Sequence, residues 1–230
     1  MEEPLKIVYS YKFEDGYEKS FDLLIDRKDL GFIHKRNQAP PSWAELAKYR
    51  CENCALDSSS KYCPIAVNLA DITEGFKDYF SYENVSVTVS TEDRRYAKDT
   101  SLQEGLGALI GIIMVTSGCP SMERLKPMVR FHLPFATLME TTFRTISMYL
   151  VAQYFLNRDG KPADWNLEGL KEIFTHVGIV NRYFAQRLFE AAKKDANVNA
   201  LVYLDCFASM VPLSADKIME EIKQYFSVYS

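Results

Sequence analysis

The chain has 230 residues, of which 47% are hydrophobic and 25% are charged, as in ordinary globular proteins and unlike disordered ones. A net charge of -4 and a pI near 5.5 argue against general binding of nucleic acid, because affinity for phosphate backbones requires clustered Lys and Arg. The start, Met1-Glu2-Glu3-Pro4, lacks the features of a secretory signal. The apolar run from Leu106 to Val115 is only about half of the roughly 20 residues that span a bilayer. We expect a cytoplasmic protein with neither a nucleic-acid nor a membrane partner.

Two β-rich segments are predicted in the first half of the chain. Leu5 to Phe13 and Lys19 to Ile25 are rich in aromatic and branched residues and flank a turn that contains Gly16, which indicates a β-hairpin. Asn84 to Ser90 alternates valines with Ser and Thr, the period of a half-buried strand, and Arg94 to Thr100 is its expected partner.

Two helices are predicted between these segments. After a loop from Gly31 to Pro41, Ser42 and Glu45 have the spacing of a capping box, which predicts a short helix that runs to about Arg50. Pro64 then begins a pattern with apolar residues three and four positions apart, which predicts a second helix.

The chain from Leu102 onward has the pattern of a helical bundle. Pro134, Gly160-Lys161-Pro162 and Pro212 are expected to separate its helices. The predicted class is α+β, with a small N-terminal antiparallel β part (about 1–100) packed on a mainly α-helical bundle (about 101–230) in a single domain, 1–230. The predicted helices are Leu102–Thr116, Ser121–Val129, Phe135–Leu156, Leu167–His176, Ile179–Lys194, Val198–Met210 and Ser214–Val228.

Four cysteines form the strongest candidate site. Cys51 and Cys54 have CxxC spacing in a polar loop, and Cys63 follows close behind. In a reducing compartment such thiols stay free or bind metal, and CxxC lets one tight loop bring two sulfurs to one ion. Cys63 and Cys119 each precede a Pro at an expected helix start, where free amides and the helix dipole stabilise a thiolate. Cys51, Cys54, Cys63 and Cys119 are therefore the predicted metal or cofactor ligands.

The spacing leaves the bound metal open. One CxxC with two isolated cysteines favours a [4Fe-4S] cluster, whereas structural zinc more often uses two CxxC pairs. His132 or His34 in place of one thiol would favour zinc. A redox-active CxxC is a weaker alternative, because no thioredoxin-like unit surrounds it. Cys206, inside an apolar helix, is expected in the core.

A second candidate region surrounds His132. It continues into a helix in which Glu140 and Arg144 have the spacing of a same-face ion pair. Such a pair is more often structural than ligand-binding, and a single histidine can equally be a core residue, a ligand or a general acid or base.

The motifs together resemble a bacterial family described as a domain of unknown function. The resemblance extends from the hairpin to Tyr154-Phe155, and it groups the four cysteines and the segment Arg130 to Phe135 as one module, but implies no substrate, reaction or cofactor. It rests on Tyr11-Lys12-Phe13 with Asp15-Gly16, Cys51-x-x-Cys54-x-Leu56, Tyr62-Cys63-Pro64-x-Ala66-x-Asn68-Leu69, Ser117-Gly118-Cys119-Pro120 and Arg130-Phe131-His132-Leu133-Pro134-Phe135.

Three functions fit these residues. The first is an iron-sulfur protein that transfers electrons or senses oxidants. The second is a structural zinc site in a regulatory protein that binds a protein partner. The third is a metalloenzyme with an open metal position near His132 and Glu140.

Overall fold

The computed structural model describes residues 3–33 and 39–229 and shows an α+β fold, as predicted. Four antiparallel strands, β1 (Leu5–Phe13), β2 (Glu18–Ile25), β3 (Asn84–Ser90) and β4 (Arg95–Ser101), form one sheet in the order β2-β1-β3-β4. Both predicted strand pairs are confirmed, with Gly16 at a φ of 85° in the hairpin turn.

One face of the sheet is apolar because buried and exposed residues alternate along the central strands. Tyr9 and Tyr11 of β1 and Val87 of β3 are among its fully buried side chains. Helix α2 (Leu102–Thr116) packs on this face, and the Tyr11 hydroxyl donates to the Gly105 carbonyl at 3.1 Å. A Cβ on Gly105 would lie 2.8 Å from the Val87 side chain, so glycine is needed for this close approach.

The predicted helix from Ser42 to Arg50 is wrong. Only a 3-10 turn, Ser42–Ala44, forms there, and no side chain caps it. Glu45 instead pairs with Tyr62 in an isolated β-bridge. The carbonyl groups that a helix would use internally accept hydrogen bonds from the side chain of Arg187, which is distant in sequence.

Helix α1 (Pro64–Phe76) and helix α2 confirm two predictions. The predicted helix Ser121–Val129 is replaced by a 3-10 turn, Glu123–Leu125, and the short helix α3 (Pro127–Arg130). Helix α4 (Leu138–Arg158) begins with a true capping box, in which Thr137 and Glu140 satisfy each other's backbone amides.

Two predicted interruptions of the last helices are wrong. Helix α5 (Glu168–Ala191) runs through Gly178, since the buried side chains on either side outweigh the small cost of one glycine. Helix α6 (Ala196–Lys223) contains Pro212 in its interior, where the Ser214 hydroxyl donates to the Met210 carbonyl at 2.7 Å. The two helices α5 and α6 are therefore each long and uninterrupted.

Helix α6 is also the element to consider for membrane insertion. The stretch Ala196–Tyr229 is long and apolar enough to cross a bilayer, with a mean hydropathy of 1.4 in its best window. Core helices share these properties, but only 33% of that window is buried. Helix α6 packs against α2, α4 and α5.

Candidate metal centre

The structure brings all four predicted cysteines to the wall of one small cavity, of about 20 Å³. Cys51 and Cys54 lie on the loop before α1, Cys63 directly precedes α1, and Cys119 follows α2. Cys63 is buried and the other three are half-buried. Apolar side chains complete most of the wall, among them Leu46, Ile65, Val180 and Phe184.

The local backbone favours a thiolate at two of these sulfurs. Cys63 is the N-cap of α1 with Pro64 in the first turn, as predicted. Pro120 does not begin a helix, but the chain turns there, and the Met122 amide donates to the Cys119 carbonyl at 2.9 Å. Amides of the residues after each cysteine lower the pKa of its thiol, although not enough to offset burial.

Without a metal, burial holds the thiols of Cys51, Cys63 and Cys119 in the protonated form. Desolvation raises the pKa of Cys51 to about 12, and repulsion from Cys63, Cys119 and Cys54 adds to it. Desolvation likewise raises the pKa of Cys119 to about 11 and raises that of Cys63. Thiolates at these positions would therefore lie close enough to repel one another electrostatically. A cation inserted among them would relieve this repulsion.

A buried cation already lies at the same cavity. The Arg187 side chain is 1% exposed and lines the thiol cavity, where its charge lowers the pKa of Cys51 and Cys63. Within the described residues, it has no carboxylate partner. Its two terminal nitrogens donate to four carbonyls of one loop, at Trp43 (2.7 Å), Glu45 (2.8 Å), Leu46 (3.3 Å) and Tyr49 (2.8 Å).

The CxxC loop is tied to its surroundings by Asn53. The Asn53 amide donates to the His176 carbonyl on α5 at 3.0 Å and contacts the His176 ring nitrogen Nδ1 at 3.2 Å. The Ser121 hydroxyl donates to the Asn53 carbonyl at 3.4 Å, which links the loop to the turn after Cys119. These bonds hold three segments of the site in register.

The sulfurs share a cavity but are not drawn around a single point. Across residues 3–33 and 39–229, no group of three or more His, Cys, Asp or Glu side chains is close enough to hold one metal ion. Four thiolates on one zinc lie about 3.8 Å apart, given a Zn–S distance near 2.3 Å. Metal binding at this cavity therefore requires rotation of the cysteine side chains.

The other predicted residues lie elsewhere. His132 is in a second cavity, where its Nε2 lies 2.7 Å from the Tyr9 hydroxyl. Glu140 caps α4 and forms no ion pair with Arg144, although both residues are described. His34 falls outside the described residues. Cys206 was expected in the core but is exposed on α6.

Arg187 is the site residue that the sequence reasoning missed. The sequence pattern that could have revealed it is the position of Arg187 on α5, seven residues after Val180 and three after Phe184. This spacing places a cation on the apolar face of an amphipathic helix. A cation at such a position requires an explanation, since charged residues are almost never fully buried without a partner.

A family model described as "Domain of unknown function (DUF6901)" matches residues 7–227. The chain belongs to this family. The match extends beyond the part of the chain that carries the recognised motifs and includes both long C-terminal helices. No curated protein and no solved structure matches the chain.

Proposed function

We propose that this protein binds a metal centre through Cys51, Cys54, Cys63 and Cys119, and that the centre is a [4Fe-4S] cluster used in electron transfer or redox sensing. The observation that carries the proposal is the guanidinium of Arg187, which is buried beside four cysteines and has no carboxylate partner among the described residues.

The charge of Arg187 favours an anionic centre. With the thiols of Cys51, Cys63 and Cys119 protonated, Arg187 is a buried cation without a carboxylate partner in the described chain, and such a charge costs several kcal/mol even when carbonyl groups solvate it. Zn²⁺ on four thiolates carries a net charge of -2, and a [4Fe-4S] centre on four thiolates is likewise an anion. Arg187 is then the counter-ion of the centre, which offsets the desolvation cost that remains after its hydrogen bonds to the four carbonyls.

The cluster is the first choice because of where the ligands lie. One CxxC pair with two isolated cysteines is a spacing that favours a [4Fe-4S] cluster over zinc. The four ligands come from three segments and line a mostly apolar space. Apolar surroundings and a nearby positive charge also shift the reduction potential of an iron-sulfur cluster. Electron transfer and oxidant sensing both require such adjustment.

The test is anaerobic purification followed by iron, sulfide and zinc analysis. We expect about four irons and four sulfides per chain with broad visible absorbance. Cys→Ser variants at each of the four positions should lose most of the iron, and Cys206→Ser, on the exposed face of α6, is the matched control. Full iron retention in Cys119→Ser would contradict the four-cysteine assignment.

Structural zinc is the second candidate, favoured by the cavity volume of about 20 Å³, which is close to the space of one water-sized sphere. In that case the purified protein contains one zinc, no sulfide and no colour. Chelation should unfold it, because the binding energy of a structural zinc is largely folding energy. A regulatory role with a protein partner belongs to this alternative.

The metalloenzyme alternative is the least supported. It needs His132 and Glu140 beside an open metal position, whereas the cavity that His132 lines shares no residue with the thiol cavity. Cytoplasmic location and the absence of a nucleic-acid partner stay predictions.

A further inference from the structure

A second, larger cavity, of about 210 Å³, lies between the helices of the bundle. We call it the apolar cavity. Its floor is one face of α2, with Gly107, Ala108, Gly111, Ile112 and Val115 at helical spacing. From Glu104 to Val115 this face extends for about 16 Å, at 1.5 Å per residue. A narrow, flexible apolar chain can therefore lie along this floor.

One cation lies in its wall. Arg144 of α4 is half-buried, and its Nη2 donates to the carbonyls of Phe131 (2.7 Å) and Met128 (3.2 Å). No carboxylate of the described chain lies within ion-pair distance of it. Among the described residues that line the cavity, Glu104 is the one carboxylate, and it is already paired with Lys98 and accepts from Thr100 at 2.6 Å. The remaining guanidinium donors of Arg144 are available to an anion.

A neutral histidine lies beside this cation. Burial and the charge of Arg144 lower the pKa of His132 to about 3, and burial raises the pKa of Tyr9 well above its ordinary value. Both groups are therefore uncharged. We assign the Tyr9 hydroxyl as donor to His132 Nε2, since it contacts no other acceptor in the described chain. The ring proton is then on Nδ1, which supplies a second donor.

Asn181, which lines the apolar cavity, has a polar atom without a partner in the described chain. Asn181 of α5 is 2% exposed, and its amide nitrogen donates to Asp205 at 2.7 Å. Because a carboxylate only accepts, this bond directs the amide oxygen away from Asp205. That oxygen is buried and has no hydrogen-bond partner in the described chain. An unpaired buried acceptor costs about 1–3 kcal/mol, which a water molecule would recover and an ionised carboxylate would not.

The geometry points to a binding site for a small anionic amphiphile, a carboxylate on a flexible apolar chain, with its head at Arg144 and His132 and its chain along α2. A cavity of about 150 Å³ in another protein accommodates benzene, so about 210 Å³ suits a ligand of roughly eight to twelve non-hydrogen atoms. The site is independent of the thiol cavity, with which it shares no lining residue.

The experiment compares three probes of equal chain length, octanoate, octan-1-ol and octylamine, by calorimetry on the full chain as purified. Octanoate should bind one to one, at least about tenfold more tightly than either of the others, since only it pairs with Arg144. Arg144→Gln should weaken octanoate binding about tenfold or more and leave octan-1-ol unchanged. Arg158→Gln, an exposed arginine of the same helix, is the control and should change neither.

Ala108→Phe provides a second test that leaves Arg144 and its carbonyl contacts in place. The added ring fills the floor of the apolar cavity and should abolish binding of octanoate and octan-1-ol alike. Circular dichroism confirms that each variant is folded. The proposal is overturned if wild type binds none of the probes, if octylamine binds as tightly as octanoate, or if Ala108→Phe binds octanoate normally. None of these results depends on the metal content of the protein.

Discussion

Replacing Arg187 with Met separates the structural role of this side chain from its role as a counter-ion. Four hydrogen bonds from a charged donor, at about 1.5 kcal/mol each, stabilise the fold by about 6 kcal/mol. Removal of an unpaired buried cation relieves a desolvation cost of several kcal/mol, for which we take about 3. The metal-free protein should therefore lose about 3 kcal/mol of unfolding free energy. Trp43 and Tyr49 belong to the loop that loses its anchor.

Arg187→Met should lower the free energy of unfolding more in the metal-loaded protein than in the metal-free protein. In the metal-loaded protein the cation is balanced by the anionic centre, so its removal brings no relief, and the full cost of about 6 kcal/mol remains. The difference of about 3 kcal/mol corresponds to about 100-fold weaker metal binding, at 1.4 kcal/mol for each factor of ten. Urea unfolding of both forms and competition with a chelator measure the two quantities.

Two further variants make this result decisive. Arg187→Lys keeps the charge with fewer donors, so it should lower stability in both forms but keep metal affinity within about tenfold of wild type. Arg182→Met, on the same helix, removes an exposed cation that lies 3.6 Å from Glu52 and should change either quantity little. Equal destabilisation of the metal-free and metal-loaded forms by Arg187→Met would refute the counter-ion reasoning.

Three other predictions follow from the geometry. Desolvation raises the pKa of Cys51 to about 12 and that of Cys119 to about 11, so zinc has to displace their protons, and zinc affinity should rise steeply from pH 6 to 8. In a competition titration, Cys51→Ser should lower the number of protons released per zinc by about one. The pKa of His132 is about 6.5 in the unfolded chain and about 3 in the folded protein, so between these values only the unfolded chain binds a proton. The free energy of unfolding should therefore fall as the pH is lowered through this window. His132→Gln should flatten this decline, measured as urea midpoints. Thr137→Ala should cost about 1 kcal/mol in chemical unfolding, whereas Ser42→Ala, which removes no cap, should cost almost nothing.

The sheet and the first helices were predictable because their signals are local. The alternation of β3 and the apolar spacing of α1 reflect contacts with the core that recur along each element. The cysteine group was predictable in part for the same reason, since CxxC in a polar loop and two Cys-Pro pairs are short-range patterns. That all four meet at one cavity depends on the packing of α1 against α2.

The errors arose where distant residues override local preference. Ser42 and Glu45 have the pattern of a helix start, but the carbonyls of this segment bond to Arg187 instead. Gly178 and Pro212 ordinarily interrupt helices, yet both lie inside helices whose neighbouring residues are buried against the rest of the bundle. A glycine inside a helix lowers the stability of the helix by about 1 kcal/mol, which is less than the stabilisation gained by burying one large apolar side chain.

Helix α5 forms part of the wall of both cavities. Val177 and Asn181 face the apolar cavity, while Val180 and Arg187 face the thiol cavity, on adjacent stripes of one uninterrupted rod. Because the two stripes belong to one uninterrupted helix, the spacing between the two cavities is fixed, while each cavity keeps its own lining residues. The continuity of α5 through Gly178 thus makes one element the common wall of two separate interior spaces.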